Sequence, residues 1–141
     1  MSGSIHLSSE QRAQVSRYAA RAYPEECCGV LIGRRSGSAA QVDEILPTEN
    51  RAEDRTRRYE IDPKALIDAH LTARERGAEV VGYYHSHPES PAVPSERDRS
   101  TAWTDTSYLI VRVERGGATG IRSWSLSSGE GAFREEEVCL G

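Results

Sequence analysis

His85-Ser86-His87-Pro88, followed by Pro94-Ser95-Glu96-Arg97-Asp98, brings two imidazoles and a carboxylate into one short stretch of chain. Neutral imidazole nitrogen and carboxylate oxygen are zinc ligands, and a catalytic zinc site has three protein ligands with a fourth position kept for water. His85, His87 and Asp98 match that set. The preceding run, Glu79-Val80-Val81-Gly82-Tyr83-Tyr84, is β-branched and aromatic and predicts a strand. Side chains alternate along a strand, so His85 and His87 share a face at its end, and Pro88 and Pro91 stop the ladder and begin a loop. Ser95-x-x-Asp98 has the form of a capping box opening a helix from Glu96 to Trp103, which would hold Asp98 rigidly in a first turn. A lone strand-end histidine is more often a hydrogen-bonded surface residue; the metal reading comes from the combination.

A second constellation is Tyr23-Pro24-Glu25-Glu26-Cys27-Cys28-Gly29-Val30-Leu31-Ile32-Gly33. Pro24 follows a helical pattern and precedes an apolar run, which places Glu26 at the mouth of a strand. A water activated by a metal needs a base that takes its proton and hands it to the leaving amine, and a nearby carboxylate can do both. Glu26 is the candidate for that catalytic role. Without the histidine stretch, Glu25 and Glu26 would read as solvated loop carboxylates. Glu26 begins its strand whereas His85 and His87 end theirs, so if those strands are neighbours they must run antiparallel to bring all three to one edge.

Together these residues resemble the JAMM (MPN+) metalloprotease family, in a compact prokaryotic form. Glu26-Cys27-Cys28-Gly29, His85-Ser86-His87-Pro88 and Ser95-Glu96-Arg97-Asp98 match its three motifs, with residues 88–97 between the second histidine and the aspartate. Asn50 and Tyr59-Glu60-Ile61-Asp62-Pro63 add to the likeness. The resemblance implies one catalytic zinc ion on His85, His87 and Asp98, with Glu26 as general acid and base and Ser95 as a catalytic hydroxyl steadying the tetrahedral intermediate. It also implies an MPN/JAMM-type, cytidine-deaminase-like domain, and hydrolysis of a peptide or isopeptide bond at the Gly-Gly tail of a ubiquitin-like or sulfur-carrier protein. Relatives take an extended tail beside a sheet edge, as in strand addition. The alternatives are a metal hydrolase of a small-molecule amide and a non-catalytic MPN interaction module. Against the last, no ligand position is missing.

Length and composition bound the rest. The 141 residues suit a single domain, and 18 basic against 22 acidic residues, a net charge of −4, leave no nucleic-acid footprint. No stretch approaches the ~20 apolar residues of a membrane span, and the polar start Met1-Ser2-Gly3-Ser4-Ile5-His6 leads straight into a helix cap, so a cytoplasmic protein is expected. Cys27, Cys28 and Cys139 are odd in number and lack C-x-x-C spacing, which points to neither a disulfide framework nor a cysteine zinc site.

The elements that position these groups alternate in type. A helix capped at Ser8 or Ser9 runs to about Tyr23 with Val15, Tyr18, Ala19 and Ala22 as its buried stripe. Strands follow at 29–33 and 41–46, joined by a hairpin turn around 34–38. A helix begins at Asp62-Pro63 with Leu66, Ile67, His70 and Leu71 on one face and ends at Gly77. The 80–87 strand, the short helix and strands at 108–113, 120–126 and 132–138 complete an α/β (α+β-like) fold, a mixed and largely antiparallel sheet flanked by helices. Asn50 to Arg58, rich in arginine with Glu53 and Asp54 between, reads as a solvated loop, or else as a landing site for an acidic partner.

Overall fold

The computed structural model describes residues 3–126 and 132–141. Its elements, in chain order, are β1 (Ser4–Leu7), α1 (Ser9–Ala22), β2 (Cys28–Ser36), β3 (Ala39–Thr48), α2 (Pro63–Glu75), β4 (Glu79–Pro88), α3 (Glu96–Thr101), β5 (Ser107–Glu114), β6 (Gly117–Leu126) and β7 (Phe133–Leu140). The strands line up as β1-β3-β2-β4-β5-β6-β7 and close into a barrel. The sheet is mixed: β2 lies antiparallel to β3 and β4, and β6 to β5 and β7, whereas β4 and β5 are parallel.

Closure depends on β1, parallel to both β3 and β7. By sequence Met1 to His6 is a polar lead into the helix; Met1 and Ser2 lie outside the described residues, and Ser4 to His6 enter β1. Two apolar residues in four, Ile5 and Leu7, are too short an alternation to signal a strand, yet both are buried. Pairing on both sides, rather than local propensity, makes β1 a strand.

β2 is buried on both faces, as its unbroken apolar run requires. Leu31 faces a core shared with Val15 and Ala19 of α1, Tyr84 of β4 and Leu109 and Val111 of β5. Val30 and Ile32 face Ala69 and Ala73 of α2. This second contact corrects the expected face of α2. Small residues let the helix lie close to the sheet, so Leu66 packs inward while Ile67 and Leu71 are 60% and 49% exposed and His70 is exposed beside them. Ser8 caps α1 reciprocally with Gln11, and Asp62 caps α2 with Pro63 in its first turn. No described helix is long and apolar enough to cross a membrane.

α3 is shorter than expected and stops at Thr101. The hydroxyls of Ser100 and Thr101 both donate to the Arg97 carbonyl, competing for an acceptor that helix continuation needs. The Trp103 amide is then taken by the Tyr108 hydroxyl at 2.8 Å.

Gly29 illustrates how tightly β2 and β4 meet. A Cβ there would lie 2.3 Å from the ring of Tyr84, whose own exposure is 0%. Gly29→Ala should cost about 1–3 kcal/mol through forced repacking. Urea unfolding checks this, and an unchanged midpoint contradicts it.

Candidate active site

The β2–β4 register sets the site. Cys28 pairs with His85, so the antiparallel neighbours bring the start of β2 and the end of β4 to the same edge. The Cys27 amide donates to Ser86 Oγ at 2.7 Å, and the Ser86 amide donates to the Cys27 carbonyl at 3.1 Å. Ser86 points away from the two imidazoles that flank it and ties the segment bearing Glu26 to the strand bearing the histidines. Its signal in the sequence was only a small hydroxyl at the alternate position.

Asn50 fastens Glu26 from the other side. Its amide nitrogen donates to the carbonyls of Glu26 at 2.9 Å and Arg58 at 3.0 Å, and its oxygen accepts from the amides of Ala52 and Glu60. The Glu26 amide donates to the Arg55 carbonyl at 2.7 Å. The loop so closed stacks the Tyr59 ring on His85, with centroids 4.4 Å apart and the ring planes 23° from parallel. Three of its arginines are turned to local carboxylates, Arg55 to Glu25, Arg51 to Glu49 and Asp62, and Arg57 to Asp54. That pairing favours the solvated-loop reading.

His85 and His87 are 0% and 6% exposed, and their Nε2 atoms lie 3.1 Å apart. Asp98 Oδ2 lies 3.2 Å from the first and 3.3 Å from the second. Ser95 caps α3, accepting from the Asp98 amide at 3.0 Å, while Asp98 accepts from the Ser95 amide at 2.8 Å. The cap thereby fixes the carboxylate opposite the imidazoles. The His87 Nδ1 atom is 2.7 Å from the Pro91 carbonyl. A carbonyl only accepts, so Nδ1 carries a proton, and in the neutral ring Nε2 keeps its lone pair for a cation. A tetrahedral ion with bonds of about 2.0–2.2 Å needs its ligands about 3.3–3.6 Å apart. The donor triangle of His85, His87 and Asp98 is within a few tenths of an ångström of that size and has the right chemistry for a borderline divalent cation.

Glu26, 5% exposed, joins the imidazoles in a group whose donor atoms all lie within 4.8 Å of one another and that could hold a metal. Its spacing is the looser of the two sets. The structure thus brings Glu26, His85, His87 and Asp98 together, with Ser95 at the head of the helix that bears the aspartate.

Burial pushes the Glu26 carboxyl up to about 8; the His87 charge opposes this, while Asp98 and Asp54 reinforce it. Burial pulls His85 down. Burial also opposes charge on His87, but hydrogen bonds to Asp98 and the Pro91 carbonyl, with the charges of Glu26 and Asp98, outweigh it and raise its pKa. For Asp98, burial is overcome by the two imidazoles, which hold it well below the usual carboxylate range. All three cysteines are free, and burial raises Cys27 and Cys28 to about 11, so neither is a ready thiolate.

A family model described as prokaryotic homologs of the JAB domain matches residues 8–127. The chain is 41% identical over 88 residues to a protein of Haloferax volcanii named desampylase, covering 62% of each. It is 33% identical over 124 residues to a Thermus thermophilus protein named "Probable TtuB-protein conjugate cleaving protease", covering 88% of this chain and 74% of that one. The solution structure of a Desulfitobacterium hafniense protein, 31% identical, superposes with a TM-score of 0.84 over 97% of this chain and 92% of the other.

The raised pKa of Glu26 has a thermodynamic consequence with a definite sign. In the cation-free chain the folded state keeps a proton up to about 8 that the unfolded state releases near 4.5, so this group's contribution to stability is lost as pH rises between those values. With chelator present, the melting temperature of the wild type minus that of Glu26→Gln should fall by several degrees from about pH 5 to about pH 8. A difference that stays constant across that range contradicts the assignment.

Proposed function

The chain belongs to the prokaryotic homologues of the JAB domain, and on that premise we propose that it is a zinc-dependent metallopeptidase hydrolysing an amide bond at the C-terminal Gly-Gly tail of a ubiquitin-like or sulfur-carrier protein. The observation that carries the reading is the 3.1–3.3 Å triangle of buried donors with a carboxyl beside it. The names of the Haloferax and Thermus relatives, a desampylase and a conjugate-cleaving protease, supply the substrate class. The match covers less than two thirds of the Haloferax protein, so that class is carried over as part of the proposal.

His85, His87 and Asp98 are the proposed zinc ligands, because they form the tighter donor set. Zinc supplies Lewis acidity, polarising the scissile carbonyl and making water acidic enough to lose a proton near neutrality. Glu26 is the proposed base and acid: it takes the proton of the attacking water and delivers it to the departing nitrogen. Its buried place favours the neutral acid, so the carboxyl readily holds a proton between those steps. Ser95 Oγ accepts from the Asp98 amide with a lone pair, which leaves its O–H free to donate to the developing oxyanion. His87 Nδ1 on the Pro91 carbonyl and the Tyr59 ring on His85 keep both imidazoles oriented.

The chain is proposed to act as one catalytic domain of MPN/JAMM, cytidine-deaminase-like type over residues 1–141. A reducing, cytoplasmic setting suits its three free cysteines.

Two outcomes test the assignment. Zinc titration followed by elemental analysis should give one ion per chain for the wild type and Glu26→Gln and none for His85→Ala; equal zinc in all three contradicts the ligand set. Zinc-loaded wild type should cleave sulfur-carrier fusions extended beyond Gly-Gly, Glu26→Gln should lose turnover, and Ser95→Ala should lose about 10²–10³ in kcat. Turnover of a small amide with every such fusion left intact would reverse the substrate assignment.

A further inference from the structure

Among the described residues, the buried polar side chains fall into two groups. Glu26, His85, Ser86 and His87 gather at the donor triangle, whereas Ser107, Ser123 and Glu136, none more than 3% exposed, lie at the other end of the barrel. Ser107 starts β5 beside Gly82, while His87 pairs with Arg112 near the end of the same strand, so the two groups sit at opposite edges of the sheet. Ser123 and Glu136 are direct partners across β6 and β7.

A cavity of about 170 Å³ opens at this second end, with Gly3, Arg35, Ser125 and Glu136 among its walls. Glu136 Oε1 accepts from the Ser123 hydroxyl at 2.7 Å, but Oε2, also buried, has no hydrogen-bond partner among the described residues. A carboxylate oxygen withdrawn from water without a donor is costly, so its partner has to be sought in the space it faces. Gly3 keeps that space open. A Cβ there would lie 3.2 Å from Oε2.

Arg35 brings the opposite charge to the same cavity. Its Nη2 donates to the Val81 carbonyl at 2.9 Å and to Ser107 Oγ at 3.0 Å, both neutral acceptors, and it has no carboxylate partner among the described residues. Those two bonds fix the guanidinium and leave its Nη1 and Nε hydrogens for an anion. The two charges share one small cavity without pairing with each other. A metal ion would suit Glu136 and be repelled by Arg35, and a simple anion would do the reverse. A molecule carrying an ammonium and a carboxylate a few bonds apart satisfies both, by the strong charge-assisted kind of hydrogen bond. Asp105 and Arg134 stand exposed at the rim, one of each sign, where water and salt screen them. Size agrees as well: a cavity of about 150 Å³ accepts benzene, and L-alanine has as many non-hydrogen atoms as benzene.

We propose that this cavity is a binding site for a small α-amino acid, with its ammonium on Glu136 and its carboxylate on Arg35, separate from the donor triangle and independent of zinc. The test is an NMR titration of the full chain, with zinc and without it, using L-alanine, L-alaninamide, which lacks the carboxylate, and propionate, which lacks the ammonium. L-Alanine should shift the backbone amides of Gly37, Ser125 and Glu136 with a Kd of about 1 mM or tighter in both states. Alaninamide and propionate should each bind about tenfold more weakly or worse. Glu136→Gln, which retains an acceptor for Ser123, should weaken L-alanine about tenfold and leave propionate unchanged, and Arg35→Gln should weaken L-alanine and leave alaninamide unchanged. If either variant fails to fold, the three ligands on the wild type decide the matter by themselves. No shift at those amides, equal affinity for all three ligands, or shifts confined to His85 and His87 and seen only with zinc would each overturn the proposal.

Discussion

Three lone-pair donors buried within 3.3 Å of one another repel unless a positive charge sits among them, and the rest of this structure holds them there. The cost of bringing two imidazoles and a carboxylate out of water is offset only by a proton or a cation shared between them. A proton satisfies one contact at a time. A divalent cation satisfies all three, which is why the proposed function follows from the donor triangle more directly than from any other feature.

The supports around the triangle come from distant parts of the chain. Ser86 locks the Glu26 segment to β4, Asn50 locks it to the following loop, and the α3 cap aims Asp98. Each contact restrains a backbone, so the side chains converge without having to be ordered one by one when a cation or substrate arrives. An N-cap worth about 1 kcal/mol does double work here, stabilising a short helix and fixing a proposed ligand.

The parts of this arrangement that were legible in the sequence are those set by short spacing. His85 and His87 share a face because they are two apart on a strand, and Ser95 and Asp98 face one another because they are three apart at a helix start. The antiparallel β2–β4 pair also followed, from Glu26 preceding its strand and the histidines ending theirs. What could not be read depends on contacts far along the chain. β1 is a strand because β3 and β7 receive it; α2 turns Ile67 and Leu71 outward because the sheet accepts its alanines; Tyr59 reaches His85 because Asn50 folds the intervening loop. No local pattern encodes those partners.

The most direct test is X-ray absorption of the zinc-loaded chain at the zinc edge. Two imidazole nitrogens and carboxylate or water oxygens at about 2.0–2.2 Å, with no sulfur, are expected from His85, His87 and Asp98. A sulfur scatterer near 2.3 Å, which would bring in Cys27 or Cys28, or a shell lacking imidazole, would contradict the account at its centre.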